Sequence, residues 1–216
     1  YALPAKYGNV AKAYIVQDTQ LDSQSGANSD GRIINPLALN LYVLGFNATK
    51  KLAIVNQAVK ENIQTYLTQF RMVTDAVNIK NAFVINVGVN FSLLTKVGYN
   101  KEEVVLKAIQ KVKDYFNIDK WQIGQPIVLA DIAYQLSLVD GVSAVVPPEE
   151  DNPNGLPVLI TNKFKVSGGY SGNIYNINQA TKDGIVYPSL DPSCFELKFP
   201  NADIQGRVIG DSTGGN

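Results

Sequence analysis

Phe83-Val84-Ile85-Asn86-Val87-Gly88-Val89-Asn90-Phe91-Ser92-Leu93 is the stretch on which the fold turns. Phe83, Ile85, Val87, Val89, Phe91 and Leu93 take every second position, with Val84, Asn86, Gly88, Asn90 and Ser92 between them. Successive side chains of a strand point to opposite faces. The alternation therefore predicts one long strand with an apolar face and a mostly polar face. The polar face is expected to meet solvent, and Gly88 to let another backbone or side chain approach closely. A helical pattern precedes the stretch and another follows it. Both helices are expected on its apolar face.

The preceding pattern is Leu52, Val55, Val59, Ile63, Tyr66 and Phe70, an apolar stripe at steps of three and four. Its length is short of three heptads, so packing on a sheet is favoured over a coiled coil. The following helix starts after Asn100, which caps it, with Glu103 three residues on. Its expected buried face is Val105, Ala108, Ile109, Val112, Tyr115 and Phe116, with Lys107, Lys111 and Lys113 in solvent. A third helix is expected over 127–138, on Ile127, Ala130 or Asp131, Tyr134 and Leu138, and closed by Asp140-Gly141. Strands are expected at 9–17, 40–46, 142–146, 156–161, 183–190, 194–199 and 203–209. Asn40–Phe46 is apolar on both faces and reads as a central strand.

These elements alternate loosely and predict an α+β fold, a mixed sheet with helices packed on one face, followed by a β-rich irregular C-terminal subdomain. Three segments are expected: 1–34, an N-terminal strand and polar loop; 35–148, the α+β core; and 149–216, the C-terminal subdomain. Asp18–Gly31 reads as a polar loop. It lacks the alternating acidic spacing and closing Glu of a calcium loop. The Pro147-Pro148 pair breaks a strand and opens a second polar loop through Gly155. Residues 211–216 read as a frayed terminus. The chain opens at Tyr1 rather than Met and reads as part of a longer one.

Composition removes several function classes. The 216 residues carry 19 basic and 19 acidic side chains, a balance that argues against broad electrostatic binding to nucleic acid or anionic membrane. Histidine is absent, which excludes Ser-His-Asp and Cys-His triads and His-containing zinc sites. The lone Cys194 forms no internal disulfide and no multi-cysteine metal site, and fits a cytosolic assembly environment. No apolar run approaches the roughly 18 residues of a membrane span.

The remaining motifs have plain readings. Gly168-Gly169-Tyr170-Ser171-Gly172 lacks the Lys-Ser/Thr ending of a phosphate loop and reads as a glycine-permitted turn. Glu102/Glu103 and Glu149/Glu150 are adjacent pairs, and sequence neighbours do not flank a substrate as glycosidase carboxylates do. Asn47-Ala48-Thr49 and Asn90-Phe91-Ser92 match a glycosylation sequon without a secretory signal beside them. Ser171 and Ser193 have no partner base in the sequence pattern. No catalytic residue, cofactor or metal is assigned. Eleven tyrosines suit protein interfaces, and Tyr170, Tyr175 and Tyr187 are the candidate contact residues.

Several stretches resemble the baseplate wedge protein of T-even-type contractile-tailed bacteriophages. They include Asn35–Gly45, Lys60–Leu67, Thr74–Lys80, Tyr115–Ile123, Gly168–Gly172 and Val186–Pro192, so the likeness runs through nearly the whole chain. Trp121–Val142 is similar, more loosely, to the wider baseplate J-like family. The resemblance implies the C-terminal part of a structural virion protein of the tail baseplate, present in the host cytoplasm during assembly. It also implies a homodimer that joins other wedge subunits in a ring around the tail hub and takes part in contraction. It implies no enzyme activity, nucleic acid or membrane insertion. Two further readings stay open: a receptor- or carbohydrate-binding tail module, and a carboxylate-based tail hydrolase.

Overall fold

The computed structural model describes residues 10–17, 38–69, 76–148, 152 and 155–211. The 18–31 loop, Phe70, the end of the chain from 212 and most of the 149–155 loop lie outside the described residues. The architecture is α+β, in two compact units. The first takes in the described residues of Tyr1–Val84 with Gln122–Gly124 and Pro188–Cys194, and the second those of Ile85–Trp121, Gln125–Tyr187 and Phe195–Asn216.

In the first unit, β1 (Val10–Gln17), β3 (Leu52–Ala53) and β4 (Ala76–Asn81) all pair with β2 (Ala38–Phe46). The β1 and β3 pairings are antiparallel and the β4 pairing is parallel. β2 is therefore the central strand its apolar sequence predicts. Helix α1 (Gln57–Thr68) buries Ile63 against Leu41, Val43 and Val55, with Val59 and Leu67 alongside. Two expectations change here. Leu52 and Val55 precede the helix, and its start is set by Asn56, whose side-chain oxygen accepts from the Val59 amide at 2.9 Å. The helix joins the sheet of β2, not the apolar face of the long strand. Residues 76–81, unassigned by periodicity, form β4.

The long strand is β5 (Phe83–Thr95), which belongs to the second unit from Ile85 onward. It is followed by α2 (Lys101–Tyr115), β6 (Ile127–Val128), α3 (Leu129–Ser137), β7 (Val142–Val146) and β8 (Val158–Asn162). Then come α4 (Ile177–Ala180), β9 (Thr181–Lys182), β10 (Ile185–Val186), β11 (Ser193–Glu196), α5 (Pro200–Asp203) and β12 (Ile204–Asp211). β5 pairs with β7, β8, β11 and β12. β8 is antiparallel to Val87–Phe91 and β7 antiparallel to Ser92–Thr95, so these two share one edge end to end. β12 runs parallel to Val89–Thr95 and takes the other edge. A separate small sheet has the order β6-β10-β9.

The predicted apolar face of β5 is buried from Ile85 to Leu93, with Val87, Val89 and Leu93 fully covered and Phe91 nearly so, whereas Phe83 at its start is exposed. Each such side chain contributes roughly 1.5–3 kcal/mol on burial. α2 packs on β12 and on α3, and α3 packs on β7 and β8. Asn100 caps α2 as expected, accepting from the Glu102 and Glu103 amides at 2.9 and 3.4 Å. Glu103 does not complete the reciprocal box, because its carboxylate pairs with Lys107 at 2.6 Å. The buried stripe of α2 is Val104, Ala108 and Val112, so Val104 replaces the expected Val105 as its first member. The third helix starts later than expected, since Ile127 and Val128 form β6. Its buried residues are Leu129, Ile132 and Leu136, while Tyr134 and Leu138 face solvent.

Gly206 shows how closely the sheet and core fit. It stands beside Phe91 in the parallel register, and a Cβ there would lie 2.6 Å from Phe91 Cε2 and closer still to Cζ. Phe91 is enclosed and has little room to move. Gly206→Ala is expected to lower stability by about 1–3 kcal/mol through overpacking. Urea unfolding followed by fluorescence of Trp121, the one tryptophan, reads this unit directly. An unchanged midpoint would show that the contact is not tight.

Candidate interaction surface

The polar face of β5 is covered except at Asn90, which is half-buried, contrary to the expectation that it meets solvent. Asn86 is fully buried, Ser92 is 1 % exposed, and Gly88 is buried. Asn86 Nδ2 donates to Glu196 Oε2 at 2.9 Å, and its Oδ1 accepts from the Ser171 amide at 2.8 Å. Its main-chain oxygen accepts from the Lys163 amide at 2.9 Å and from Asn162 Nδ2 at 3.0 Å. A single residue of the strand thus holds β11, the end of β8 and the glycine-rich loop. Gly88 allows the close approach foreseen for it: a Cβ would lie 2.6 Å from Lys163 Cε and 3.1 Å from the Asp203 carbonyl oxygen.

The Gly168–Gly172 stretch is a turn, as its composition predicts. A 3-10 turn at Val166–Gly168 is closed by Gly169 at φ +83°, and Gly172 shares that φ. The loop is anchored at two points. One is the Ser171 amide on Asn86. The other is Tyr170, whose hydroxyl donates to Asp203 Oδ1 at 2.5 Å, while Asp203 Oδ2 accepts from the Phe199 amide at 2.8 Å. Asp203 is 1 % exposed. Burial, and then the Asp203 carboxylate, push the Tyr170 hydroxyl up to about 12. The Tyr170 ring meets Phe199 edge-on at 5.3 Å.

The other two candidate tyrosines are joined to each other. Tyr175 donates from its hydroxyl to the Tyr187 carbonyl at 2.7 Å, and its ring packs edge-on to Phe195 at 6.0 Å. Its main-chain amide donates to Asn162 Oδ1 at 2.9 Å, and burial raises its hydroxyl pKa. Tyr187 is 47 % exposed and has the most open ring of the three. Exposed apolar side chains flank this region: Phe164, Val166, Ile174 and Phe199. The alternation that marks strands carries no signal for them, since they lie in irregular backbone.

A cleft of about 490 Å³ lies between β8 and the Tyr175–Asn178 segment. Two of its polar side chains are engaged, while the buried Thr161 hydroxyl has no hydrogen-bond partner among the described residues. Asn162 bonds to the Asn86 and Asn173 carbonyls and to the Tyr175 amide, and Asn176 Oδ1 accepts from the Gln179 amide. Among the described residues no group of three or more His, Cys, Asp or Glu side chains is placed to hold a metal ion, and no helix is long and apolar enough to cross a membrane. Ser193 Oγ accepts from the Ser189 amide, a turn contact. Asn47 Oδ1 accepts from Thr49 and Lys51, so that sequon is also a capped turn.

No protein-family model matches the chain, and no curated protein matches it. Among solved structures it is similar to a chain in the cryo-EM structure of the anti-feeding prophage baseplate, 6-fold symmetrised, with 12 % identity and a TM-score of 0.48. The match covers 87 % of this chain and 34 % of that one, so this chain spans about a third of that length.

The Tyr170–Asp203 contact sets an alkaline response. A hydroxyl held at about 12 when folded and near 10 when unfolded binds its proton more tightly in the folded state. Its stabilising contribution is complete below pH 10 and is lost as pH rises through 12. Subtracting the tyrosinate absorbance titration of Tyr170→Phe from that of the parent should isolate one step near pH 12. A difference step near pH 10 instead would contradict the contact.

Proposed function

We propose that this chain is a structural subunit of a contractile-tail baseplate, the C-terminal part of a wedge protein of the T-even type. In this reading it self-associates, links wedges into the ring around the tail hub, and takes part in the change of shape that precedes contraction. It works by contact and not by catalysis. The observation that carries the reading is the sequence resemblance spread from Asn35 to Pro192.

The physical form of the resembling stretches supports the reading. Tyr115–Ile123 holds an aromatic cluster, with Phe116 stacked on Trp121 at 5.2 Å and Tyr115 edge-on to both at 5.1 and 5.5 Å. Gly168–Gly172 is the loop tied to Asn86 and Asp203. The distinctive residues of these stretches shape rigid scaffold, and a subunit that transmits force between neighbours needs such rigidity. Tyr187 is the ring of the three candidates most available to a partner, with the Tyr175 hydroxyl holding its carbonyl.

Gold-labelled antibody against this chain, applied to tailed particles that contain it, should decorate the baseplate end of the tail. Label on the capsid or along the sheath would overturn the placement. Light scattering of the purified chain should give about twice its 23.5 kDa mass at high concentration, with Tyr187→Glu shifting it towards monomer. A strict monomer throughout would remove the self-association.

A further inference from the structure

Around the glycine-rich loop, burial separates the two signs of charge. Glu196 and Asp203 are buried and hydrogen-bonded within the fold, Glu196 to Asn86, and Asp203 to Tyr170 and the Phe199 amide. Lys163 and Lys198 are half-buried and Lys165 is exposed. None of these three ammonium groups is ion-paired or hydrogen-bonded among the described residues. The same region holds apolar side chains in solvent. Val166 is 71 % and Ile174 78 % exposed, and Phe164 and Phe199 are open as well. Lys163-Phe164-Lys165-Val166 alternates basic with apolar residues, and Lys198 directly precedes Phe199. The turn gathers these groups. A Cβ on Gly172 would lie 2.9 Å from Val166 Cγ2, one on Gly169 3.3 Å from Phe199 Cζ, and one on Gly168 4.0 Å from Lys165 Cβ.

We infer that this patch is a docking surface for an acidic, apolar segment of another protein, in which carboxylates alternate with large apolar side chains. Charge complementarity selects the occupant. Lysines set between exposed apolar groups are matched by a chain that brings a carboxylate and an apolar group side by side. Glu196 and Asp203, the carboxylates tied to this loop, hold it from inside and have no surface to offer, so the matching charge comes from a partner. The anchors at Asn86 and Asp203 already order the loop, which lowers the entropy that docking costs.

Other occupants fit less well. Single-stranded nucleic acid stacks its bases on aromatic faces, whereas the most exposed groups here, Val166 and Ile174, are aliphatic. Anionic membranes are held by clusters of about four to eight basic residues, more than this patch has. A second copy docked by two-fold symmetry sets the patch on itself and brings lysine against lysine. The inference goes beyond the baseplate reading and does not rest on it.

Immobilised peptides in which Glu alternates with Phe, Leu or Val should capture the purified chain. Matched peptides with Gln or Lys in place of Glu should bind at least about tenfold more weakly. Capture by the Glu peptides should fall as salt is raised. Lys165→Gln, Val166→Ser and Ile174→Ser change exposed side chains and, combined, should weaken binding by about tenfold or more. Lys111→Gln and Leu138→Ser, exposed changes of the same kind on and beside α2 and α3, should leave it unchanged. Equal capture by Glu and Gln peptides, or equal loss in the two sets of variants, overturns the inference. So does a failure of every Glu peptide to capture the chain, or tighter binding to a thymidine oligonucleotide or to phosphatidylglycerol vesicles. Loss of self-association in Val166→Ser also overturns it, since a second copy would then hold the patch. Antibody labelling of particles reads the baseplate placement separately.

Discussion

Asn86 is the constraint on which the rest of the second unit depends. It is a polar side chain in the middle of a strand, with no exposure on either face of the sheet. A buried amide left without partners costs on the order of 1–3 kcal/mol. Asn86 avoids that cost by binding Glu196 and the Ser171 amide at once. These partners come from segments more than 80 residues further along the chain. The polar face of β5 therefore selects a specific C-terminal arrangement, whereas an apolar face would accept many.

The loop around Gly168–Gly172 gains its shape from this. Two adjacent residues fix it, Ser171 on the strand and Tyr170 on Asp203. With both anchors buried, the apolar side chains at Val166 and Ile174 are carried outward on ordered backbone. An ordered surface loses less entropy on association than a disordered loop. The same economy describes the tyrosines, whose hydroxyls serve internal geometry at 170 and 175 while the ring of 187 stays open.

Much of this was legible in the sequence, for identifiable reasons. Strict alternation located β5 and its buried face, because burial on one side of a strand leaves a period of two. Asn100 announced its helix because a capping side chain stands at a fixed offset. The phase of short helices was less legible. Tyr134 and Leu138 repeat at helical spacing as well as Ile132 and Leu136 do, and only packing distinguishes the two stripes. The covering of Asn86 was not legible at all. Polar residues on alternate positions indicate solvent equally well as a distant polar partner, and nothing local to Glu196 or Ser171 names their contact with it. Of the candidate contact residues, aromatic content picked out the tyrosines, but their hydroxyl partners arise from tertiary structure alone.

From Ile85 to Leu93, β5 is a spine buried on both faces but for half-buried Asn90, and long-range polar contacts hold it. Amide hydrogen exchange measures it most directly. If the claim holds, the amides of Asn86 through Leu93 are among the slowest of the whole chain and exchange only with unfolding of the unit, those on the polar-faced residues included. If Asn86, Gly88 and Asn90 instead exchange as fast as an exposed loop while Val87 and Val89 stay protected, the polar face opens independently and the account is wrong.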